Sequence, residues 1–256
     1  MKKYRVIIMS IIAIGIILIG TSNPLSTINK TTGLISRGIK NEKINDNNKY
    51  LIFIDPGHQA KGDPNPEPIG PGSPYQKARV SSGTEGIATK KPEYILNLEA
   101  SIVLKHILED KGYTVMMSRE THDVNISNSE RAIMANEKNA DLAIRIHADS
   151  LDNSSKTGAS ILIPEEGGKY TAPIFEESND CAGFIKTNMQ NAGIGLNGIF
   201  QRGDLTGFNW SKVPVVLIEM GFMSNYNEDQ MMSNPDYQEK LMQSVADGVE
   251  EYFKTK

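Results

Sequence analysis

Tyr50-Leu51-Ile52-Phe53-Ile54-Asp55-Pro56-Gly57-His58 is the stretch on which the fold is read. Its apolar run is short and continuous, as in a strand buried on both faces, and it stops at an acid, a proline, a glycine and a histidine. Downstream the pattern alternates. Ile95, Leu98, Ile102 and Leu108 recur near helical spacing until Gly112 closes the helix. Residues 113–117 read as a second strand, and residues 126–138 as a helix for which Ser127 or Ser129 offers the N-cap. Strands follow at 142–146 and 159–163, then a helix over 174–190 closed by Gly193, then a short apolar strand at 215–218. A last helix opens at Ser233-Asn234-Pro235, where proline suits the first turn, and carries Leu241, Val245, Val249 and Tyr252 on one face. Alternation of this kind predicts an α/β domain in three layers, with a mainly parallel twisted sheet of about six strands and helices on both faces. In such sheets the ligand site lies beyond the carboxyl ends of the strands.

The chain of 256 residues has room for one such domain and an appendage. A net charge of −4 gives no footing for nucleic acid. The single Cys181 excludes an intramolecular disulfide and a multi-cysteine metal site, and reads as a small buried hydrophobe. Lys2, Lys3 and Arg5 precede an apolar run over residues 6–19, the pattern of an export signal. No Ala-x-Ala site follows, so residues 1–22 read as a signal peptide or an uncleaved membrane anchor. Residues 23–48, rich in Ser, Thr, Asn and Lys, read as a flexible linker, which leaves 49–256 as the working domain outside the cytoplasm.

Three strand ends carry chemistry. The first delivers His58, the strand ending at Ile146 delivers His147, and the strand ending at Ile218 delivers Glu219. Imidazole is a good zinc ligand, and a catalytic zinc takes three protein ligands plus an open position. Glu93, just before the first helix, can turn to the same edge as the third ligand. The assignment is then His58, Glu93 and His147 on one zinc, with Glu219 unliganded as general base toward the water that the metal activates. A lone strand-end histidine is more often a structural hydrogen-bonder. Two of them, beside Gly57 and Asp149, shift that balance, and an acid that ends the run Val215-Val216-Leu217-Ile218 must be paired or functional.

Six segments in order carry a family resemblance: Asp55-Pro56-Gly57-His58; Glu93 with Asn97-Leu98; Ser118-Arg119; Ser129-Glu130-Arg131 with Ala135-Asn136; Ile146-His147-Ala148-Asp149; and Val213-Pro214 through Glu219-Met220-Gly221-Phe222-Met223-Ser224-Asn225. Over about residues 50–253 the chain resembles the zinc-dependent N-acetylmuramoyl-L-alanine amidases. The resemblance implies hydrolysis of the amide between the lactyl group of N-acetylmuramic acid and L-alanine of the peptidoglycan stem peptide. It also implies one zinc, with the ligand and base roles given above. The long loop and Asn209-Trp210 look closest to clostridial members, including spore-cortex amidases, so cortex maturation stands beside wall remodelling as the setting. A monomeric catalytic domain is expected, with an accessory regulatory protein as a partner, because the stretch from Glu165 to Gly193 holds only an ordinary helix and no blocking insert.

Two departures matter. The connection over residues 59–92 is longer than the family's usual one, which keeps Glu85 as a rival to Glu93. Arg145 shares a strand face with His147 and is expected either to hold a substrate carboxylate, to orient Glu93 or Glu219, or to pair with a structural acid. Trp210 is expected to stack on a sugar ring or to anchor its loop. His106 and His122 read as structural. A zinc carboxypeptidase is the rival enzyme, but it needs an acid three residues after the first histidine, where Lys61 stands. A metal-free wall-binding module is the non-enzymatic rival, and it predicts a missing ligand or base; none is missing.

Overall fold

In the computed structural model, residues 50–256 are described. The expected signal or anchor (1–22) and linker (23–48) lie outside the described residues. Strand β1 (Leu51–Pro56) is followed by a two-stranded antiparallel hairpin, β2 (Asp63–Pro68) and β3 (Gln76–Val80), and then by helix α1 (Glu93–Asp110). Next come β4 (Thr114–Met117), α2 (Asn128–Glu137), β5 (Leu142–Asp149), β6 (Ala159–Pro164) and α3 (Ala172–Asn191). The chain closes with β7 (Leu196–Arg202), α4 (Thr206–Asn209), β8 (Val215–Phe222), α5 (Tyr226–Met232) and α6 (Pro235–Phe253). Among the described residues the main sheet has the order β4-β1-β5-β8-β6-β7. The four strands from β4 to β8 are parallel; β6 runs antiparallel to β8 and takes β7 with it. No described helix is long and apolar enough to cross a membrane.

Strand alternation sorts the core into two layers. Ile52, Ile54, Ile144, Ile146, Val216 and Ile218 face α1, α3 and α6, and build the larger cluster. Phe53, Ala143, Val215 and Leu217 face the other way, against Ala135 of α2 and Phe208 of α4. Cys181 is fully buried in the larger cluster, as its reading as a hydrophobe required. Ser127 is the N-cap of α2 in a complete capping box with Glu130. Asn234 caps α6 ahead of Pro235.

Two expectations shift. On α1 the buried stripe is Leu96, Ala100, Leu104 and Leu108 with Glu93, Asn97 and Ser101, whereas Ile102 is exposed. The helix is rotated so that its first polar turn meets the sheet edge. The stretch 59–92, read as a loop, contains the β2–β3 hairpin. Its first strand, Asp-Pro-Asn-Pro-Glu-Pro, tolerates its prolines because the hairpin has only edge strands.

On the second face one charge cluster ties four elements together. Asp55 of β1 accepts from Arg131 Nη1 of α2 at 2.7 Å, Arg145 Nε of β5 at 2.8 Å and Ser118 Oγ, just past β4, at 2.6 Å. Burial works against ionisation of Asp55, but Arg131, Arg145 and the Ser118 hydrogen bond outweigh it and hold the carboxyl far below the usual aspartate range. A group whose pKa is depressed in the folded state stabilises above its unfolded pKa of about 3.9 and loses that contribution as pH falls. Arg131→Met is therefore expected to cost about 3–5 kcal/mol in urea denaturation at neutral pH, the cost of breaking one side of a buried charge cluster. Asp55→Asn is expected to lower stability at neutral pH while flattening its decline below about pH 3.9.

Candidate metal centre

The turn after β1 is held from beneath. Arg131 donates to the carbonyls of Pro56 at 2.8 Å and His58 at 3.0 Å, and Arg119 donates to Pro56 at 3.0 Å and Gly57 at 2.9 Å. His58 itself has φ +60°, a left-handed conformation unusual for a residue with a side chain. Its Nδ1 lies 3.0 Å from the Ser81 carbonyl and 2.9 Å from Ser81 Oγ. A carbonyl can only accept, so Nδ1 carries the proton and Nε2 keeps its lone pair. That lone pair faces Glu93 Oε1 at 3.1 Å.

Glu93 opens α1 and is buried. Thr84 N donates to Oε2 at 3.0 Å, while Asn97 Nδ2 and Ala148 N donate to Oε1 at 3.0 and 3.2 Å. Burial opposes its ionisation, but the adjoining His147 and His58 outweigh it and hold its carboxyl well below the usual range. His147 Nδ1 lies 3.3 Å from the same Oε1, and the two imidazoles meet edge to face at 4.8 Å. Burial brings the His147 pKa down to about 4, partly offset by Glu93, so the ring is neutral at physiological pH, as a ligand must be. Among the described residues, His147 Nε2 is buried without a hydrogen-bond partner.

His58, Glu93 and His147 place one donor atom each within 4.8 Å of one another. A lone pair and a carboxylate oxygen 3.1 Å apart repel unless a proton or cation sits between them. The separations of 3.1 and 3.3 Å also match the edges, about 3.3 Å, of a tetrahedron with metal–ligand bonds of about 2.0–2.1 Å. The donor set thus fits one metal ion. Glu85, the rival ligand, is exposed and pairs its backbone with Pro92.

Glu219 pairs in register with His147, on the same sheet face. Its Oε2 is shielded and unpartnered among the described residues. Burial first, then the charges of Glu93 and Asp149, push its carboxyl well above the usual range; Arg145 and Arg202 offset this only in part. It lines a cleft of about 220 Å³ with His58, His147, Leu217, Arg202 and Thr206. The four-residue α4 contributes to the cleft wall through Thr206 and Gly207.

Arg145 reaches the cleft but is buried against Asp55 and bonds Asn128 Oδ1 at 3.1 Å. Its guanidinium packs on Gly207 where any Cβ would collide. Of the roles expected for Arg145, pairing with a structural acid is the one with visible contacts. Trp210 lies apart from the cluster: its Nε1 donates to Pro68 O at 2.9 Å, and its ring lines a separate groove with Tyr170 and Pro71. His106 is exposed on α1, and His122 packs edge to face on Tyr94. Ser81, Thr84, Arg202, Asp204 and Lys77 escaped the sequence reading. They sit in segments without periodicity, and only the length of the 59–92 connection hinted at Ser81, Thr84 and Lys77.

The sequence model of a family described as N-acetylmuramoyl-L-alanine amidase matches residues 52–251. The chain is 26% identical over 224 residues, 83% of this chain and 70% of the relative, to a probable cell wall amidase LytH of Staphylococcus saprophyticus. It is 27% identical over 216 residues, 80% of this chain and 87% of the relative, to the N-acetylmuramoyl-L-alanine amidase Rv3717 of Mycobacterium tuberculosis. The crystal structure of the apo amidase Ami1 from Mycobacterium abscessus superposes with a TM-score of 0.72 at 26% identity, covering 80% of this chain and 98% of that one. Clostridial amidases also stand among the structural matches, one of them solved with a lipoprotein.

The His147 ring lies directly over Gly57, where an added Cβ would overlap its atoms. Gly57→Ala is therefore expected to displace that ring. Metal affinity, read by competition with a chromogenic chelator, should fall by at least about tenfold, the scale of a disturbed ligand, while circular dichroism stays native. Unchanged affinity would show that His147 is not a ligand.

Proposed function

This chain belongs to the N-acetylmuramoyl-L-alanine amidase family and is a hydrolase acting on amide bonds, and from that premise we propose that His58, Glu93 and His147 hold one zinc ion while Glu219 handles the proton. The two imidazoles and the carboxylate form a donor set suited to zinc. Bound zinc supplies Lewis acidity, polarising the substrate carbonyl and lowering the pKa of water. The chain's own groups do the rest.

Glu219 takes the proton of the attacking water on its carboxylate and returns it to the amine nitrogen as the carbon–nitrogen bond breaks. Its upward-shifted carboxyl suits both halves of that task, since an acid of ordinary strength holds a proton too weakly to give it back usefully near neutral pH. Asn97, Thr84 and Ala148 keep Glu93 aimed, and Ser81 fixes the tautomer of His58. The single observation that carries this division of labour is the shielded Oε2 of Glu219, unpartnered among the described residues and in register with His147 on the neighbouring strand.

The bond cut is that between the muramyl lactyl group and L-alanine, in wall or spore-cortex peptidoglycan, which share this amide. Work on that polymer places residues 49–256 outside the cytoplasm as the catalytic domain, secreted or anchored through residues 1–22. The domain acts as a monomer, with an accessory protein governing access to the cleft. Trp210, remote from the metal ligands, anchors its loop through Pro68.

Digestion of purified peptidoglycan by the zinc-loaded protein is expected to produce new L-alanine amino termini without new reducing sugar ends. Release of C-terminal D-alanine instead would favour a carboxypeptidase. Glu219→Gln is expected to keep a full complement of zinc by metal analysis and lose about 10²–10⁴-fold in kcat, the worth of a positioned acid–base group. Glu93→Ala is expected to lose zinc.

A further inference from the structure

One wall of the cleft carries charge beyond the partial offset that Arg202 gives Glu219. Arg202, the last residue of β7, grips Asp204 with two hydrogen bonds, Nε to Oδ1 at 2.7 Å and Nη2 to Oδ2 at 3.0 Å. Lys77, from β3 of the hairpin, reaches the same Oδ2 at 3.0 Å and the Asp204 backbone carbonyl at 2.6 Å. All three residues line the cleft beside Glu219. Two cations thus share one carboxylate, an excess of one positive charge.

This cluster differs from the other cationic group in the cleft. Arg145 is buried and committed to Asp55 and Asn128. The side chains of Arg202, Lys77 and Asp204 are 41–53% exposed, so their mutual contacts are screened and readily rearranged. Among the described residues, Arg202 Nη1 makes no hydrogen bond. Asp204 holds the two cations side by side at the rim, while the acids Glu93, Asp149 and Glu219 occupy the chemical end. A substrate that matches this polarity offers a neutral amide at Glu219 and an anion at the rim.

The substrate chemistry says which half supplies that anion. The carboxyl of muramic acid is consumed in the scissile amide, so the sugar side has no carboxylate to offer. Free carboxylates belong to the peptide. We infer that Arg202 and Lys77, held together by Asp204, bind a carboxylate on the peptide side of the scissile amide and make the enzyme prefer acidic stem peptides over amidated ones. The inference rests on the amidase reading above. A planar guanidinium suits bidentate capture of such a group, and a neutral carboxamide leaves the excess charge unpaired.

The test uses the full chain loaded with zinc and two muropeptides that differ only in whether the residue after L-alanine carries a free carboxylate or its carboxamide. Wild type is expected to favour the carboxylate form in kcat/KM. Arg202→Ala should raise KM for that form by about tenfold, on the scale of one charge-assisted contact, and leave kcat within about twofold. The carboxamide substrate should be cut nearly as before, Lys77→Ala should act in the same direction more weakly, and Arg202→Lys should recover part of the loss. Equal losses on both substrates, with a shifted pH profile of kcat, would overturn the inference, because Arg202 would then act on Glu219 rather than on substrate. Equal use of both muropeptides by wild type would also overturn it. Cleavage of neither would instead overturn the amidase reading on which it rests.

Discussion

The buried carboxylate of Asp55 is the point on which the rest of this site depends. Taking an aspartate and two arginines out of water costs several kcal/mol per ion, so a hydrophobic cluster of equal volume would stabilise the domain at least as well. What the charges provide instead is direction. Asp55 spends its oxygens on Arg131, Arg145 and Ser118, and Arg131 then has nitrogens left for the Pro56 and His58 carbonyls. Apolar packing has no comparable way to fix the orientation of individual peptide groups. The positive φ of His58, which costs on the order of 1–3 kcal/mol, persists because those carbonyls are pinned from below.

The two faces of the sheet divide the work. One face is closed by α1, α3 and α6 with a continuous apolar cluster, and supplies most of the buried area. The other is only partly covered, by α2 and the short α4, and the uncovered part is where Arg145, His147, Leu217 and Glu219 project. Strand alternation makes this economical. Each of β1, β5 and β8 contributes core residues to one side and chemistry to the other without any change of backbone.

This division explains what could be read from the chain and what could not. Ile144, Ile146, Val216 and Ile218 lie in runs apolar on both faces, so their strands, and the acids and histidines at their ends, were legible. His58, His147 and Glu219 stood out by their place at strand ends and their chemistry, with the family resemblance beside it. The antiparallel turn of β6 and β7 was not, because Gly198 and the polar residues of Leu196–Arg202 erase the strand signal. The inward face of α1 was misjudged by one step of the helix. Apolar periodicity picked out Ile102, whereas the actual orientation is set by Glu93 and Asn97, polar residues buried by their hydrogen bonds. Arg202 and Asp204 at the end of β7 and Lys77 in β3 come from two segments whose proximity only the sheet order and hairpin reveal.

The long connection over residues 59–92 is best understood as the framework around Glu93. A glutamate at the start of a helix has one more free χ torsion than a strand-end histidine, so it must be held from several sides. The connection provides Thr84 N to Glu93 and Ser81 to His58, and it is itself anchored at its far end. There the buried Asp229 of α5 accepts from Ala88 N, Thr89 N and Thr89 Oγ1, each at 2.7 Å. Asp229 lies seven residues past Phe222, the end of the strand that bears Glu219, so one short segment links Glu219 to the loop that aims Glu93. In a zinc carboxypeptidase the first histidine and its glutamate are tied by three residues of sequence and need no such brace. Here the two are separated by 35 positions, and rigidity that sequence proximity would have supplied has to come from hydrogen bonds to a buried acid.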